Sequence, residues 1–185
     1  ITYGDWSSDV CSSDLNPSLQ MAYGWDLIEA LGLLRDEHVR GVLVGGGSGI
    51  GPLRARARAL GVEDRIVFTG HRPMSELPDL LSAFDICLST QTNDVPGNVR
   101  TTGKLPLYLA CGRYVLASEA GEARRVLPAH MLVPYEGTVD RAYPERLAAR
   151  IRPLVRNREA LDVRTMSRAV AQTHFDYDVL SARLA

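Results

Sequence analysis

No stretch of this sequence approaches 18 consecutive apolar residues, so no helix is expected to cross a membrane. A basic start, apolar centre and small-residue cleavage site do not occur together, so no signal peptide is expected. Cysteine is scarce. The three, Cys11, Cys87 and Cys111, have no metal-binding spacing, and an odd number does not read as a disulfide framework. Cys87 falls in an apolar strand pattern and Cys111 at a helix end, so both are expected as buried thiols. Histidine is also rare: His38, His71, His130 and His174 are scattered, and no metal site is expected. No Ser-His-Asp constellation or catalytic carboxylate pair emerges from spacing, so catalytic residues stay unassigned. The net charge is −1, which excludes the global basic field of a nucleic-acid binder. The arginine-dense stretches 54–58 and 146–158 have acidic residues nearby and read as solvated helix faces. These absences point to cytoplasmic residence, with a membrane-peripheral association of the full-length protein left open.

What is present suits a folded domain. Hydrophobic residues make up 45% of the 185 and charged residues 23%, the balance of a soluble α/β domain with its own core. Residues 5–15, Asp-Trp-Ser-Ser-Asp-Val-Cys-Ser-Ser-Asp-Leu, carry neither helix nor strand periodicity. The string resembles an in-frame translation of a sequencing-library adapter. Residues 1–15 are therefore set aside as non-native, and the natural domain is read as 16–185, starting inside a gene.

From there, strand and helix patterns alternate. Ser18–Leu34 has apolar residues at nearly helical spacing. Gly41–Gly45 reads as a buried strand, Pro52–Leu60 as a helix closed by Gly61, and Arg65–Thr69 as the next strand. A helix starts at Ser75, Phe84–Ser89 is a third strand, and a long polar loop fills Thr90–Thr101. Thr102–Cys111 is a helix stopped by Gly112, Arg113–Ser118 a fourth strand, and Met131–Pro134 a fifth. Two helices, Arg141–Val155 and Arg158–Ala185, finish the chain. This order predicts a Rossmann-like α/β fold, a parallel sheet with helices on both faces. Ligands bind such sheets at the carboxyl ends of the strands. The loops of interest are therefore Gly45–Gly51, Gly70–Pro73, Thr90–Thr101 and Glu119–Gly121.

Each loop has an ordinary reading beside a functional one. The glycine run 45–51 follows a strand but lacks the spacing of a dinucleotide fingerprint, and no acidic residue ends the next strand. A phosphate-binding loop fails too, because Pro52 stands where a lysine is required. A tight strand-to-helix turn accounts for it, and an NAD site is the most distant alternative. Thr101-Thr102-Gly103-Lys104 opens a helix, where free amides, the helix dipole and the Lys104 charge suit an anion. The same residues also fit a plain helix start with a surface lysine. In Thr90–Thr101, Gly97 gives backbone access and Asn98 an amide for a hydroxyl-rich ligand; a plain connection is the alternative. His71 and Arg72, after Gly70, can flank a base or phosphate, or simply be solvated.

Taken in order, Val42–Gly47, Ile66–His71, Phe84–Ser89, Lys104–Gly112 and Val115–Ser118 resemble a known family. They are similar to the C-terminal domain of glycosyltransferase family 4, retaining enzymes of the GT-B fold with two facing Rossmann-like domains. The resemblance covers about Gly24 to Leu127. It implies a UDP- or GDP-linked nucleotide-sugar donor as substrate, no separate cofactor, and an N-terminal acceptor-binding domain outside this chain. It places Gly70, His71 and Arg72 beside the base, Gly97 and Asn98 at the donor sugar, and Thr101, Thr102, Lys104 and the Leu105 amide near the diphosphate and ribose. Two departures stand out: Leu107 and Val99 occupy positions where the family usually carries Glu. The resemblance also implies that the first strand of the domain is missing, which would leave an exposed sheet edge and poor solubility. Alternatives are a non-catalytic nucleotide-sugar-binding scaffold and a sugar-nucleotide epimerase of the same fold.

Overall fold

The computed structural model describes residues 2–4, 24–100 and 102–184. Six parallel strands form one sheet in the order β3-β2-β1-β4-β5-β6. They are β1 (Thr2–Gly4), β2 (Gly41–Val44), β3 (Ile66–Gly70), β4 (Ile86–Ser89), β5 (Tyr114–Ser118) and β6 (Leu132–Val133). Every residue of β4 and β5 is buried, as expected for inner parallel strands covered on both faces. The predicted fold class is the observed one.

The expectation of a missing first strand is corrected. Thr2–Gly4 pairs along Val42–Val44 on one side, and Thr2 pairs with Cys87 on the other. A parallel strand thus fills the gap between β2 and β4, so the sheet has no unpaired edge at its centre. Three of the residues set aside as non-native make this strand; Asn16 and the segment 5–23 lie outside the described residues.

Helices cover the sheet: α1 (Trp25–Leu33), α2 (Ile50–Ala59), α3 (Leu77–Ser82), α4 (Val95–Val99), α5 (Lys104–Ala110), α6 (Gly121–Val126), α7 (Tyr143–Arg156), α8 (Arg164–Phe175) and α9 (Tyr177–Leu184). Helix α1 buries Leu27, Ile28 and Leu31, one stripe at helical spacing. That stripe presses on β2: a Cβ at Gly41 would fall 2.8 Å from Leu31 Cδ1. The link between α1 and β2 is held by Arg65, whose guanidinium donates to the carbonyls of Leu34, Glu37 and Val39. Arg152 of α7 donates to the Leu33 carbonyl at the end of α1 at 3.0 Å and pairs with Asp36 and, at 3.4 Å, with Glu37 in the link that follows.

Four element assignments change. The helix read from Ser18 starts at Trp25 within the described residues. The loop Thr90–Thr101 contains α4, which Asp94 caps by accepting from the Gly97 amide at 2.9 Å. Between β5 and β6 lies α6, whose six residues carry too little periodicity to be seen in the sequence. The last helix is broken into a short 3₁₀ turn (Arg158–Leu161), α8 and α9. Asp176 makes the second break: it is extended, and its side chain accepts from the Asp178 amide at 2.8 Å to start α9. Cys87 is buried as expected, whereas Cys111, at the end of α5, is only half-buried.

Candidate functional site

The strand order reverses between β1 and β4, the place where parallel α/β sheets hold ligands outside the carboxyl ends of their strands. A cavity of about 900 Å³ opens there. Its walls are the start of α1 (Gly24, Trp25, Asp26), the residues after β4 (Thr90, Gln91, Thr92), Gly97 of α4, Thr102 ahead of α5, and Tyr135 and Asp140 after β6. It extends beside α1 to Arg56 and Leu60.

The residues after β4 are held in place from three sides. The Gln91 amide donates to Ser118 Oγ at 2.7 Å, tying them to β5. The Asn93 amide donates to the Gly137 carbonyl at 2.9 Å, and its side chain to the Tyr135 carbonyl at 3.0 Å. Asp94 accepts from the Gly97 amide and from Thr92 Oγ1, and these bonds hold its carboxyl below the usual carboxylate range. Gly97 is required by space: a Cβ there would stand 1.9 Å from the Thr92 carbonyl oxygen.

Asp140 lines the cavity yet is nearly closed off from solvent. It accepts from the amides of Glu136 (2.6 Å) and Ala142 (3.0 Å) and pairs with Arg146. Asp26, in the first turn of α1, is different. Burial, then the negative charges of Asp140 and Glu29, push its carboxyl up to about 7. Beneath them Tyr143 is fully buried, and its phenol is raised by burial despite a contact with Thr90 Oγ1 at 3.5 Å. Burial likewise lifts Tyr135, to about 12.

The residues singled out from sequence do not all meet. Gly97 and Thr102 line the cavity; Gly70, His71, Arg72, Asn98, Lys104 and Leu105 do not, and Thr101 lies outside the described residues. Gly70 ends β3 in a left-handed conformation and accepts from the Gly45 amide at 3.0 Å. His71 packs on the glycine turn after β2, where a Cβ at Gly46 would fall 2.6 Å from its ring. Arg72 is exposed and pairs loosely with Glu76, at 3.7 Å. Asn98 spends its amide inside the fold. Its Nδ2 donates to Asn93 Oδ1 and the Asp94 carbonyl, and its Oδ1 accepts from the Gly121 amide, all at 2.9 Å. Lys104 and Leu105 are both buried in the first turn of α5. Leu107 packs against the core, and Val99 is 78% exposed.

Sequence reading missed Asp26, Tyr135 and Asp140. An Asp in the first turn of a helix is ordinary, so nothing in the sequence marked Asp26. Tyr135 and Asp140 follow a two-residue strand, too short to point at the site. Among the described residues no cluster of His, Cys, Asp and Glu is arranged to hold a metal, and no helix is long and apolar enough to cross a membrane.

Comparison with known proteins finds the same fold elsewhere. Solved structures of the same fold include Anabaena Alr3699/HepE in complex with UDP, with a TM-score of 0.72, 21% identity and coverage of 99% of this chain and 47% of that one. A glycosyltransferase from Rickettsia africae ESF-5 matches at a TM-score of 0.70 and 16% identity, over 89% of this chain and 43% of its own. The C-terminal domain of the Francisella tularensis glycosyl transferase group 1 protein LpcC matches at 0.66 and 14%, over 95% and 85%. The chain thus spans about half the length of the first two structures and most of the isolated C-terminal domain. Among curated protein sequences none matches it. The family profile for glycosyl transferases group 1 matches residues 22–157, most of the chain, and the protein belongs to that family.

Proposed function

We propose that this chain is the donor-binding half of a retaining, family 4 glycosyltransferase that moves a hexosyl group from a UDP- or GDP-sugar to an acceptor. The acceptor is held by a second, N-terminal domain of the full-length protein, which acts in the cytoplasm, free or at a membrane surface. The observation that carries this reading is the position of the cavity, at the reversal of strand order and walled by the starts of α1 and α4 and by Thr102 ahead of α5. The HepE structure in complex with UDP has the same fold and supports it. Departure of a nucleoside diphosphate leaves charge on phosphate, which fixed amides and cations stabilise. The start of α5 with Lys104, together with Thr101, Thr102 and the Leu105 amide, suits that task. Gly70, His71 and Arg72 border the base, and Gly97 faces the sugar. Asn98 shapes the sugar subsite by bracing α4.

A second reading, a non-catalytic nucleotide-sugar-binding domain, draws on Leu107 and Val99, which put apolar groups where carboxylates are expected. A thermal-shift panel with UDP, GDP, ADP and NAD, on the native chain and Lys104→Ala, tests both. A nucleotide at 100 times its Kd adds about 2.7 kcal/mol, worth about 5–10 °C at this size. A shift with UDP or GDP that fades in Lys104→Ala is the expected result. A cooperative melt that no nucleotide moves would refute donor binding. Binding without transfer in the full-length protein would favour the second reading.

A further inference from the structure

The cavity has an arm that the donor reading leaves unused. It runs beside α1, where Trp25, Glu29, Arg56 and Leu60 line it. Trp25 and Glu29 stand on α1, Arg56 on α2 and Leu60 at its end, so none of them belongs to the loops after β4 or β5. Trp25 is partly buried: it packs against the core and also faces the cavity. The Arg56 guanidinium carbon is 5.7 Å from the centre of its ring, within cation–π reach. Glu29 accepts from Arg56 Nε and Nη2 at 2.6 and 2.9 Å. The three side chains thus hold one another in place before any ligand arrives, which lowers the ordering cost of binding.

Their chemistry selects among ligands. The two Glu29–Arg56 bonds use two of the five guanidinium N–H donors and one lone pair of each carboxylate oxygen. Both side chains stay open, Glu29 at 21% and Arg56 at 38% exposure. A lipid chain in this arm would strip water from that ion pair and offer it nothing in return. A phosphate would meet the negative charge of Glu29. A pyranose suits all three groups. Its C–H face is apolar and stacks on an aromatic ring, and its hydroxyls both donate and accept, as a carboxylate beside a guanidinium requires.

We propose that Trp25, Glu29 and Arg56 form a saccharide subsite beside the donor's, which seats a sugar unit of the acceptor. Trp25 stacks on the sugar face, Glu29 accepts from its hydroxyls and Arg56 donates to them. The inference rests on the donor-site reading and narrows it: the acceptor is a glycan or glycoside, gripped by this domain as well as by the N-terminal one. Binding here involves no covalent step.

Trp25 can report on its own subsite. The tryptophans are Trp6 and Trp25, so Trp6→Phe leaves a single emitter. This chain, saturated with UDP or GDP, is titrated with the methyl glycosides of glucose, galactose, mannose and N-acetylglucosamine and with maltose. The expected result is a saturable change in Trp25 emission with at least one of them, in the millimolar range. Saturation-transfer NMR on the native chain should show the C–H protons of that sugar against the protein. Trp25→Ala should weaken its binding by about tenfold or more, whereas Trp25→Phe keeps a ring and should stay within about threefold. Nucleotide affinity should hold in both variants. The emission titration decides the matter even if Trp25→Ala folds poorly. No response to any saccharide, with the nucleotide still bound, would overturn the proposal and leave the donor site standing. An emission change complete with the nucleotide alone, to which no saccharide adds, would make Trp25 a platform for the base and overturn it too. No binding of UDP or GDP would sink the donor-site reading and, with it, the assignment of an acceptor to this arm.

Discussion

The carbonyl of Thr92 lies so close to Gly97 that a Cβ on residue 97 would fall 1.9 Å from its oxygen. The contact sets the path of α4 along the cavity, because backbone meets backbone and neither side can rotate away. Gly97→Ala must therefore move α4 or unwind it. We expect a loss of at least about 2 kcal/mol, seen as a fall in Tm of several degrees. Nucleotide-sugar affinity should fall with it, since Gly97 lines the cavity. A Tm within a degree of the native value would show that the turn yields cheaply.

Asn98 braces α4 against α6, and its three hydrogen bonds can be separated by substitution. Asn98→Ala removes all three. Asn98→Asp keeps the acceptor for the Gly121 amide but puts a carboxylate against Asn93 Oδ1 and the Asp94 carbonyl. Each lost bond is worth about 0.5–1.5 kcal/mol. Hydrogen exchange distinguishes the two. The Gly121 amide should exchange faster in Asn98→Ala and remain protected in Asn98→Asp. Equal exchange in both variants would mean that Asn98 does not hold α6.

The Asn98 result also shows what sequence could and could not tell. Alternation of apolar runs with helical spacing located β2, β3, β4 and β5 to within two residues, because parallel strands packed under helices are largely apolar, even β3 at the sheet edge. It gave the fold class and the loops at the carboxyl ends. It could not say how Asn98 would spend its amide, since its partners Asn93 and Gly121 lie 5 and 23 residues away. Asp26 was illegible for a related reason. Its neighbour Asp140 is distant in the chain, and only folding makes either carboxylate notable. The breaks in the last helical stretch escaped because Asp176 is polar and exposed, and a residue of that kind suits a helix surface as well as a cap.

His71 and Gly46 form a pair whose substitution effects should diverge between stability and binding. A methyl at residue 46 would meet the His71 ring at 2.6 Å, but His71 is exposed and can swing away. Gly46→Ala should therefore cost less than about 1 kcal/mol of stability. Its effect on nucleotide affinity should equal that of His71→Ala, and the double variant should lose no more than either single one. Additive losses in the double variant would mean that the two residues act separately.

Asp26 makes a prediction about stability that needs no ligand. Its folded-state value of about 7 stands above the ordinary carboxylate value of 3.8, so the unfolded chain gives up this proton first as pH rises. The folded chain then binds more protons than the unfolded one between about pH 4 and pH 7. Stability from this group is lost as pH climbs through that window and is level above it. The loss is on the order of 2–4 kcal/mol if no other group compensates. Asp26→Asn carries no such penalty. Its Tm should match the native value near pH 4 and exceed it by several degrees at pH 7.5. Because Asn98→Ala loosens α4 at every pH, it serves as a control whose difference from native stays constant. A pH-independent difference between native and Asp26→Asn would show that Asp26 ionises freely in the folded chain.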